Sequence, residues 1–395
     1  MKRFSDQRGQ TTVVIALSIF TLCGMAGLSA DVGTLFRAKR VLQTAADAGA
    51  IAAAAEAYWN NSSAAAKAIA ASNGVTDGTN GYTVTESIIP SGYQVVATQA
   101  APTYFMKLFH LTSVTVSATA VANNGPGNGC IFTLDTSGVD VGLSGTGTLT
   151  MPDCGVVVNS AGSKALSLTG GSAINALSIG IVGGYSDSSN APNSLSPTPV
   201  TGIAPAANPL SFEPAPSFSS SSCLPDPHPT GGPVTLGPAV AGGTVCYNGL
   251  SISGSGAVTF NPGTYIINGA FSMSGSGTAS GAGVTFYMAP PNGSLSLTGS
   301  GALTLSAPTS GTYDGILFFQ DPSDTNTMKV AGASGSDIEG IFYAPSAALN
   351  LSGSSGATFY ADLVTYALGI SGNNSIQSYA KKNANTPLTA PRLVQ

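Results

Sequence analysis

The chain has 395 residues, of which 50 are glycine and only 8% are charged, and its formal net charge is -5. So few charged residues are unlike an ordinary cytosolic enzyme. Between residues 125 and 380 the only basic residues are Lys164, Lys329 and a single histidine, whereas a surface that binds nucleic acid needs clustered lysine or arginine. We therefore exclude nucleic acid as a partner.

The first predicted element is an uncharged apolar segment at residues 11–30. A helix of this length is about 30 Å long, which matches the hydrocarbon core of a bilayer. A cleavable export signal usually has a shorter apolar core, although residues 24–26 resemble a cleavage site. Because helix-forming residues without proline continue over 31–57, we expect a retained, single membrane helix that runs outward as a stalk.

Three short motifs accompany this segment: an Arg-Gly pair, an Asp-Val-Gly triplet and a Leu-Gln-x-Ala-Ala-Asp-Ala stretch. They comprise Arg8, Gly9, Asp31, Val32, Gly33, Leu42, Gln43, Ala45, Ala46, Asp47 and Ala48. In these motifs the chain resembles the TadG-like proteins of the Flp (tight adherence, Tad) pilus-assembly system over about its first 55 residues. The resemblance implies a pilus context, with other Tad and Flp assembly proteins as partners.

The same resemblance bears on processing and location. Related pseudopilins carry a glutamate five residues after the glycine where a prepilin peptidase cuts, and counting from Gly9 that position is Val14 here. The resemblance therefore implies an unprocessed accessory protein of the inner (cell) membrane, in contact with lipid, rather than a pilin subunit. Small residues recur four apart in the apolar segment, which would let the membrane helix pack closely in a homo-oligomer, although the alternative is that such residues are simply common in membrane helices.

Four cysteines follow the apolar segment: Cys130, Cys154, Cys223 and Cys246. They form no C-x-x-C motif, so a zinc site has little to build on. We predict disulfides between Cys130 and Cys154 and between Cys223 and Cys246, because short loops close most easily, although four cysteines allow three connectivities. Disulfides place this part of the chain outside the cytosol.

Residues 59–124 are predicted to form a small α/β unit. An alanine-rich helix precedes two alternating segments, 82–89 and 92–99, and a later strand. Between these strands we predict a helix on which Phe105, Leu108 and Phe109 face the sheet. Core packing is therefore the expected role of these three side chains.

Residues 125–380 contain a repeat in which two apolar residues alternate with serine or threonine before a glycine. The central glycines are Gly145, Gly170, Gly254, Gly275, Gly299, Gly353 and Gly372. Several separations match one coil of a parallel β-helix, and the step from Gly299 to Gly353 fits two coils. Residues at about 183–235 are rich in proline and serine, which predicts an insertion outside the ladder. A β-sandwich is the alternative fold.

Acidic residues in two loops are candidates for a site. Asp135 follows an apolar strand, but neither the metal-adhesion motif nor the aspartic-protease motif is complete there, so we predict a turn in which Asp135 bonds its own backbone. Asp321, Asp324 and Asn326 share one loop whose oxygens could bind calcium, although the EF-hand order is missing and a simple turn is the alternative.

One pair of carboxylates lies on a predicted strand. Asp337 and Glu339 are two residues apart, so both side chains project from one face of that strand. A β-helix enzyme that acts on polysaccharides needs such clustered carboxylates for acid/base work. The predicted solenoid offers no arginine and no histidine within its repeats, which makes this function the most distant alternative.

The sequence thus predicts a mixed architecture: a membrane anchor and helical stalk (1–58), a small α/β unit (59–124), a parallel β-helix (125–380) and a flexible tail (381–395). The predicted function is that of a non-catalytic, membrane-anchored, extracytoplasmic component of a Flp/Tad-type pilus-assembly or secretion apparatus, without a cofactor. A surface adhesin with a β-helix stalk is the alternative function.

Overall fold

The computed structural model describes residues 8–56, 61–125, 129–353, 357–383, 388 and 390–394. The chain forms two compact units, one of residues 1–125 together with 391–395 and one of residues 126–390. A long apolar helix, a short helix and a small sheet build the first unit. A parallel β-solenoid of about ten turns forms the second, so the predicted fold class is confirmed and the β-sandwich alternative is wrong.

The first unit is organised around α1, Arg8–Ala55, a continuous helix of 48 residues. At 1.5 Å per residue it is about 72 Å long, more than twice the hydrocarbon thickness of a bilayer. From Leu42 onward one side of the helix is buried. Gly49 permits close packing there, since a Cβ at this position would lie 3.2 Å from the carbonyl oxygen of Ala66. The predicted stalk therefore also supplies the core helix of the α/β unit.

A second helix and a four-stranded sheet pack around this part of α1. They are α2 (Ser62–Ser72), β1 (Tyr82–Ile89), β2 (Gly92–Pro102), β3 (Ser113–Gly125) and β29 (Ala390–Leu393), with strand order β1-β2-β3-β29. The β1–β2 hairpin has the predicted position and an antiparallel register from Tyr82↔Gln99 to Ile89↔Gly92. Part of the segment expected to be a flexible tail is instead the edge strand β29, and the Val394 N–H donates to the Val121 carbonyl at 2.8 Å.

The connection between β2 and β3 differs from the prediction. A single 3-10 turn, Met106–Phe109, replaces the expected helix, and it ends at His110, whose φ is 66°. Leu108 and Phe109 are 73% and 67% exposed, so the prediction that they pack in the core is wrong. The face of the sheet that they were expected to cover is already occupied by the alanine side of α1 and by α2.

In the second unit each strand pairs in parallel with the corresponding strand of the next coil. The first group of strands is β4 (Gly129–Thr133), β5 (Val141–Ser144), β6 (Thr148–Met151), β7 (Gly155–Val158), β8 (Leu166–Thr169), β9 (Ala173–Ala176), β10 (Ile179–Ile181), β11 (Tyr185–Ser188), β12 (Leu195–Ser196) and β13 (Val200–Thr201). Alternate apolar side chains of these strands point into the solenoid, as in Leu166 and Leu168 of β8.

The second group follows a long connection. Its strands are β14 (Pro233–Leu236), β15 (Thr244–Tyr247), β16 (Leu250–Ile252), β17 (Ala257–Phe260), β18 (Gly263–Ile267), β19 (Ala270–Met273), β20 (Thr278–Ala282), β21 (Val284–Met288), β22 (Ser294–Leu297), β23 (Leu303–Ser306), β24 (Ile316–Gln320), β25 (Met328–Gly332), β26 (Asp337–Gly353), β27 (Thr358–Gly372) and β28 (Asn374–Gln377). Two further 3-10 turns are Ser220–Ser222 and Tyr379–Lys381.

The coils do not stack in chain order. β27 pairs with β4 and β5, and β28 pairs with β6, so the last coil of the chain lies directly on the first. The chain therefore enters the solenoid in its middle and builds towards one end through β13. It then crosses to the opposite end and returns from β14 to β28.

The crossing is made by residues 202–232. Asn159 holds Ala206 through two hydrogen bonds of 2.7 and 2.8 Å, and a disulfide joins Cys223 to Cys246 further along. The predicted insertion, about 183–235, is longer than the segment that leaves the ladder, because β11 and β12 lie within 183–235 and pair with β8 and β9. These strands are only four and two residues long, and the prolines of this stretch lie outside them.

Glycines and phenylalanines stack along the solenoid. The repeat glycines form a ladder whose spatial order is Gly254, Gly275, Gly299, Gly353, Gly372, Gly145 and Gly170, with Gly332 between Gly299 and Gly353. The step from Gly299 to Gly353 therefore spans two coils, as predicted. Inside, ring centroids are 5.0 Å apart for Phe260 and Phe286 and 5.6 Å apart for Phe286 and Phe318. No coil can form this core alone.

Candidate functional site

The apolar part of α1 is the first candidate for function. Within the described residues one helix, Thr12–Ala55, is long and apolar enough to cross a membrane. Its most apolar part is not buried by the protein. The side chains of Phe20, Leu22 and Met25 are each more than 60% exposed. This surface suits a lipid environment, as expected for a membrane anchor.

Asp31 marks the end of this apolar segment and is fully buried. Its Oδ1 accepts a hydrogen bond from the Tyr104 N–H at 2.7 Å, and its Oδ2 accepts one from the Met106 N–H at 2.7 Å. The β2–β3 loop is therefore bound to α1 through the first acidic residue beyond the apolar segment. Val32 and Gly33 of the same motif are exposed.

The Leu-Gln-x-Ala-Ala-Asp-Ala motif packs α1 onto the sheet. Leu42, Ala45 and Ala46 are fully buried, and Ala48 is partly buried. The Gln43 amide donates to Asp47 Oδ1 at 2.8 Å and to the Thr119 carbonyl at 3.3 Å. These contacts fix the helix register against β3. Arg8 and Gly9 lie in the first turn of α1.

A second candidate is a groove on the outer face of β17, β20, β23 and β26. Its volume is about 520 Å³, and its polar lining includes Thr259, Asn261, Ser280, Thr304, Asp337 and Glu339. The two carboxylates do share one face, as the strand periodicity predicts. Glu339 Oε1 is 2.6 Å from Lys382 Nζ, and that ammonium lies 4.2 Å from the centre of the Tyr360 ring. The bond to Glu339 raises the pKa of Lys382. The lysine was missed because it belongs to the segment predicted as a flexible tail.

The groove has the chemistry of a polar binding surface. Hydroxyl groups on successive coils could donate and accept hydrogen bonds with a polyol, and the Asp337 carboxylate could accept them. Glu339 is engaged by Lys382, so a free pair of acids of the kind that glycoside hydrolysis uses is not present at these two positions. The groove therefore offers hydrogen-bonding groups for a polar ligand.

The acidic loops make turns. Asp135 Oδ1 accepts a hydrogen bond from the Ser137 N–H at 3.0 Å, which confirms the predicted turn. Asp321 and Asp324 accept hydrogen bonds from the backbone N–H groups two residues later, Ser323 and Asn326, at 2.8 and 2.9 Å. Within the described ranges, no group of three or more His, Cys, Asp or Glu side chains could hold a metal ion.

Both sequence-local pairs of cysteines form disulfides, Cys130–Cys154 and Cys223–Cys246, with Cα–Cα distances of 5.5 and 4.5 Å. Both cysteines of the first are fully buried in the solenoid core, and the second joins the crossing segment to β15. Cys23, in the apolar part of α1, is a free and exposed thiol. The disulfides stabilise both groups of coils.

Buried carboxyl groups in the solenoid carry no signal in the sequence. Burial raises the pKa of Asp362 to about 7, although its carboxylate accepts a hydrogen bond from the Tyr379 N–H. Burial likewise raises the pKa of Asp140 to about 7, against hydrogen bonds from Thr133 and Ser160. Asp362 and Asp140 each stand next to an apolar residue that the strand pattern buries, and strand alternation would therefore place both carboxyl groups outside. Only the coil geometry shows that the carboxyl groups turn inward.

The comparisons agree with the geometry of α1. Residues 9–56 match the Tad family model, described as Flp pilus-assembly TadE/G-like. No curated protein and no solved structure matches the chain. The match ends within one residue of the C-terminus of α1, and it includes Asp31 and the packing motif that begins at Leu42. Residues 9–56 therefore carry a TadE/G-like Flp pilus-assembly domain, and a β-solenoid follows it in the chain.

Proposed function

We propose that this protein is a non-catalytic, membrane-anchored, extracytoplasmic component of a Flp/Tad-type pilus-assembly or secretion apparatus. The observation that carries the proposal is the match of residues 9–56 to the Tad family model over an apolar helix of membrane-spanning type. In this proposal residues 11–30 lie in the inner membrane. The solenoid presents a surface of serine, threonine and glycine to the other assembly proteins.

The proposed orientation rests on the disulfides. Cys130–Cys154 and Cys223–Cys246 need an oxidising compartment, which favours a solenoid outside the cytosol and a short N-terminal tail inside. Lipid contacts the exposed apolar side of α1. The small residues spaced four apart that stay exposed, Ala26 with Ala30 and Ser29 with Gly33, support, in addition, a homo-oligomer of membrane helices.

A complementation experiment tests the pilus role. In a host that has the Tad machinery, deletion of the gene is expected to abolish surface pili, and the full chain is expected to restore them. A matched chimera carries an unrelated single-pass helix in place of residues 9–41 and keeps the packing motif from Leu42 onward. It should reach the membrane without restoring pili. Normal piliation of the deletion strain would contradict the proposal.

The groove favours one second candidate, a surface adhesin that binds glycans. Its lining of hydroxyl groups with Asp337 is the specific observation in support. Protease treatment of intact cells separates the two functions, because an adhesin must be cleaved at the cell surface whereas an inner-membrane component must stay protected. Asp337→Asn should weaken glycan binding if the groove is used, and Thr146→Ala, outside the groove, is the matched control.

A further inference from the structure

The β2–β3 loop, residues 103–112, carries an unusual concentration of exposed apolar side chains. Tyr104, Leu108, Phe109 and Leu111 are 68%, 73%, 67% and 53% exposed. All four lie within eight consecutive residues on one short connection. A water-exposed loop is normally polar, so an apolar cluster of this kind indicates a surface that is covered in the working state of the protein.

The loop lies beside the membrane segment of α1. Phe105 packs on Gly24 and Gly27, and a Cβ added to Gly27 would lie only 2.4 Å from Phe105 Cδ2. Gly27 is four residues before Asp31, which places this contact about 6 Å from Asp31 along the helix, inside the apolar segment. The ring centroids of Phe105 and Phe109 are 5.9 Å apart, so the exposed Phe109 lies close to the same depth.

The backbone of the loop is prepared for a site without water. Asp31 accepts the N–H groups of Tyr104 and Met106, and the Leu108 N–H donates to the Phe105 carbonyl at 3.0 Å. The Leu111 N–H donates to the Met106 carbonyl at 3.2 Å. An apolar environment penalises every unpaired backbone donor, so these bonds remove the main cost of leaving water.

The charged neighbours fit the headgroup region. Lys107 is the one lysine on the loop and is exposed. His110, at the end of the 3-10 turn, is exposed as well. A lysine next to apolar side chains can extend its ammonium to lipid phosphates while its methylene groups stay in the apolar layer. Tyr104 is of the residue type that collects at membrane interfaces.

We propose that the β2–β3 loop inserts its apolar side chains into the headgroup and acyl boundary of the same bilayer that α1 crosses, as a second, interfacial anchor. The inference rests on the proposed function only in requiring α1 to be in a membrane. Continuity with the apolar surface of α1 identifies lipid as the occupant. The second anchor would fix the rotation of the α/β unit about the helix axis, which a single helix leaves free.

Tryptophan fluorescence in proteoliposomes tests the insertion. Trp59, the single tryptophan of the chain, is first replaced by Phe. One tryptophan is then introduced by Leu108→Trp, and the matched control is Ile88→Trp, which is equally exposed at 73% but lies at the far end of the β1–β2 hairpin. Liposomes made with brominated acyl chains quench only tryptophans that reach the acyl region.

Brominated liposomes are expected to lower the fluorescence of the Leu108→Trp protein at least twofold and that of the Ile88→Trp protein by less than a tenth. Ile19→Trp, in the apolar part of α1, reports separately whether the helix is in the bilayer. Quenching at Ile19 without quenching at Leu108 would overturn the inference and leave the proposed function intact. A blue-shifted but unquenched emission at Leu108 would also overturn it, because protein would then cover the loop. Phe109→Trp repeats the test if Leu108→Trp does not fold.

Discussion

The two units bury their cores in opposite ways. In the first unit one alanine-rich side of α1 packs on three strands and α2, and β1, β2 and β3 pair in chain order. In the solenoid large rings stack from coil to coil, and the coil that ends the chain closes on the coil that begins it. The comparison shows that the core of the first unit depends on the close approach of small residues, whereas the core of the solenoid depends on an uninterrupted stack of aromatic rings.

The largest expected effect comes from interrupting that stack. Phe286 lies 5.0 Å from Phe260 and 5.6 Å from Phe318, measured between ring centroids, and is fully buried. Phe286→Ala should destabilise the solenoid by about 4 kcal/mol, through lost apolar burial and the cavity that remains. Urea unfolding of the purified protein measures this. Phe218→Ala, at a partly exposed ring, is the control, and an equal loss in both variants would contradict a continuous stack.

Adding a methyl group to the glycine ladder should have the next largest effect. Gly275 has φ 84°, and a Cβ there would lie 2.6 Å from the Gly254 carbonyl oxygen. Gly275→Ala should cost about 3 kcal/mol, because left-handed backbone strain and a clash with the neighbouring coil add together. Gly311→Ala separates the two causes, since its φ is 95° and nothing lies within 4 Å. The control should lose only about 1 kcal/mol.

How far the sequence predicts the molecule differs between the units for a physical reason. The pattern at 82–89 predicts β1 to the residue, and the repeat predicts the glycine ladder, because both depend on local period. The spatial order of the coils could not be predicted. The repeats are so similar that the sequence does not show that the coils of Gly170 and Gly254 lie at opposite ends of the solenoid. The exposure of Leu108 and Phe109 was missed because their spacing does not show that α1 already covers the sheet.

The candidate sites divide in the same way. The pairing of Asp337 and Glu339 on one face follows from strand periodicity, but Lys382 reaches Glu339 only through the fold. The motif at Asp31 was recognised as a family pattern, yet its contact with Tyr104 joins residues 73 positions apart. Sequence reasoning thus finds residues that act within one element and misses partners brought together by tertiary structure.

A pH effect should distinguish the solenoid from the first unit. Burial raises the pKa of Asp362 to about 7, so the folded solenoid prefers the protonated acid. The contribution of this group to stability is full below about pH 4, where both states hold the proton, and falls as pH rises towards 7, because only the folded chain still holds it. Above that pH both states have released the proton and the contribution is constant. Asp362→Asn should raise stability at pH 8 by about 2 kcal/mol and reduce this slope, to which Asp140 also contributes. Thermal unfolding of Asp362→Asn and of the unmodified protein at pH 5 and pH 8 measures both effects.

The smallest expected effect is confined to the loop of the first unit. Asp31→Asn keeps one acceptor for the Tyr104 or Met106 N–H but loses the other and the negative charge, which should cost about 1 kcal/mol. Amide hydrogen exchange is the sensitive measurement, because 1 kcal/mol corresponds to roughly fivefold faster exchange at these two amides. Asp47→Asn, on the same helix but bonded to Gln43, is the matched control. If exchange accelerates equally at the Val95 amide of β2, then Asp31 stabilises the whole α/β unit, and the small-residue packing of α1 is not sufficient to hold the sheet.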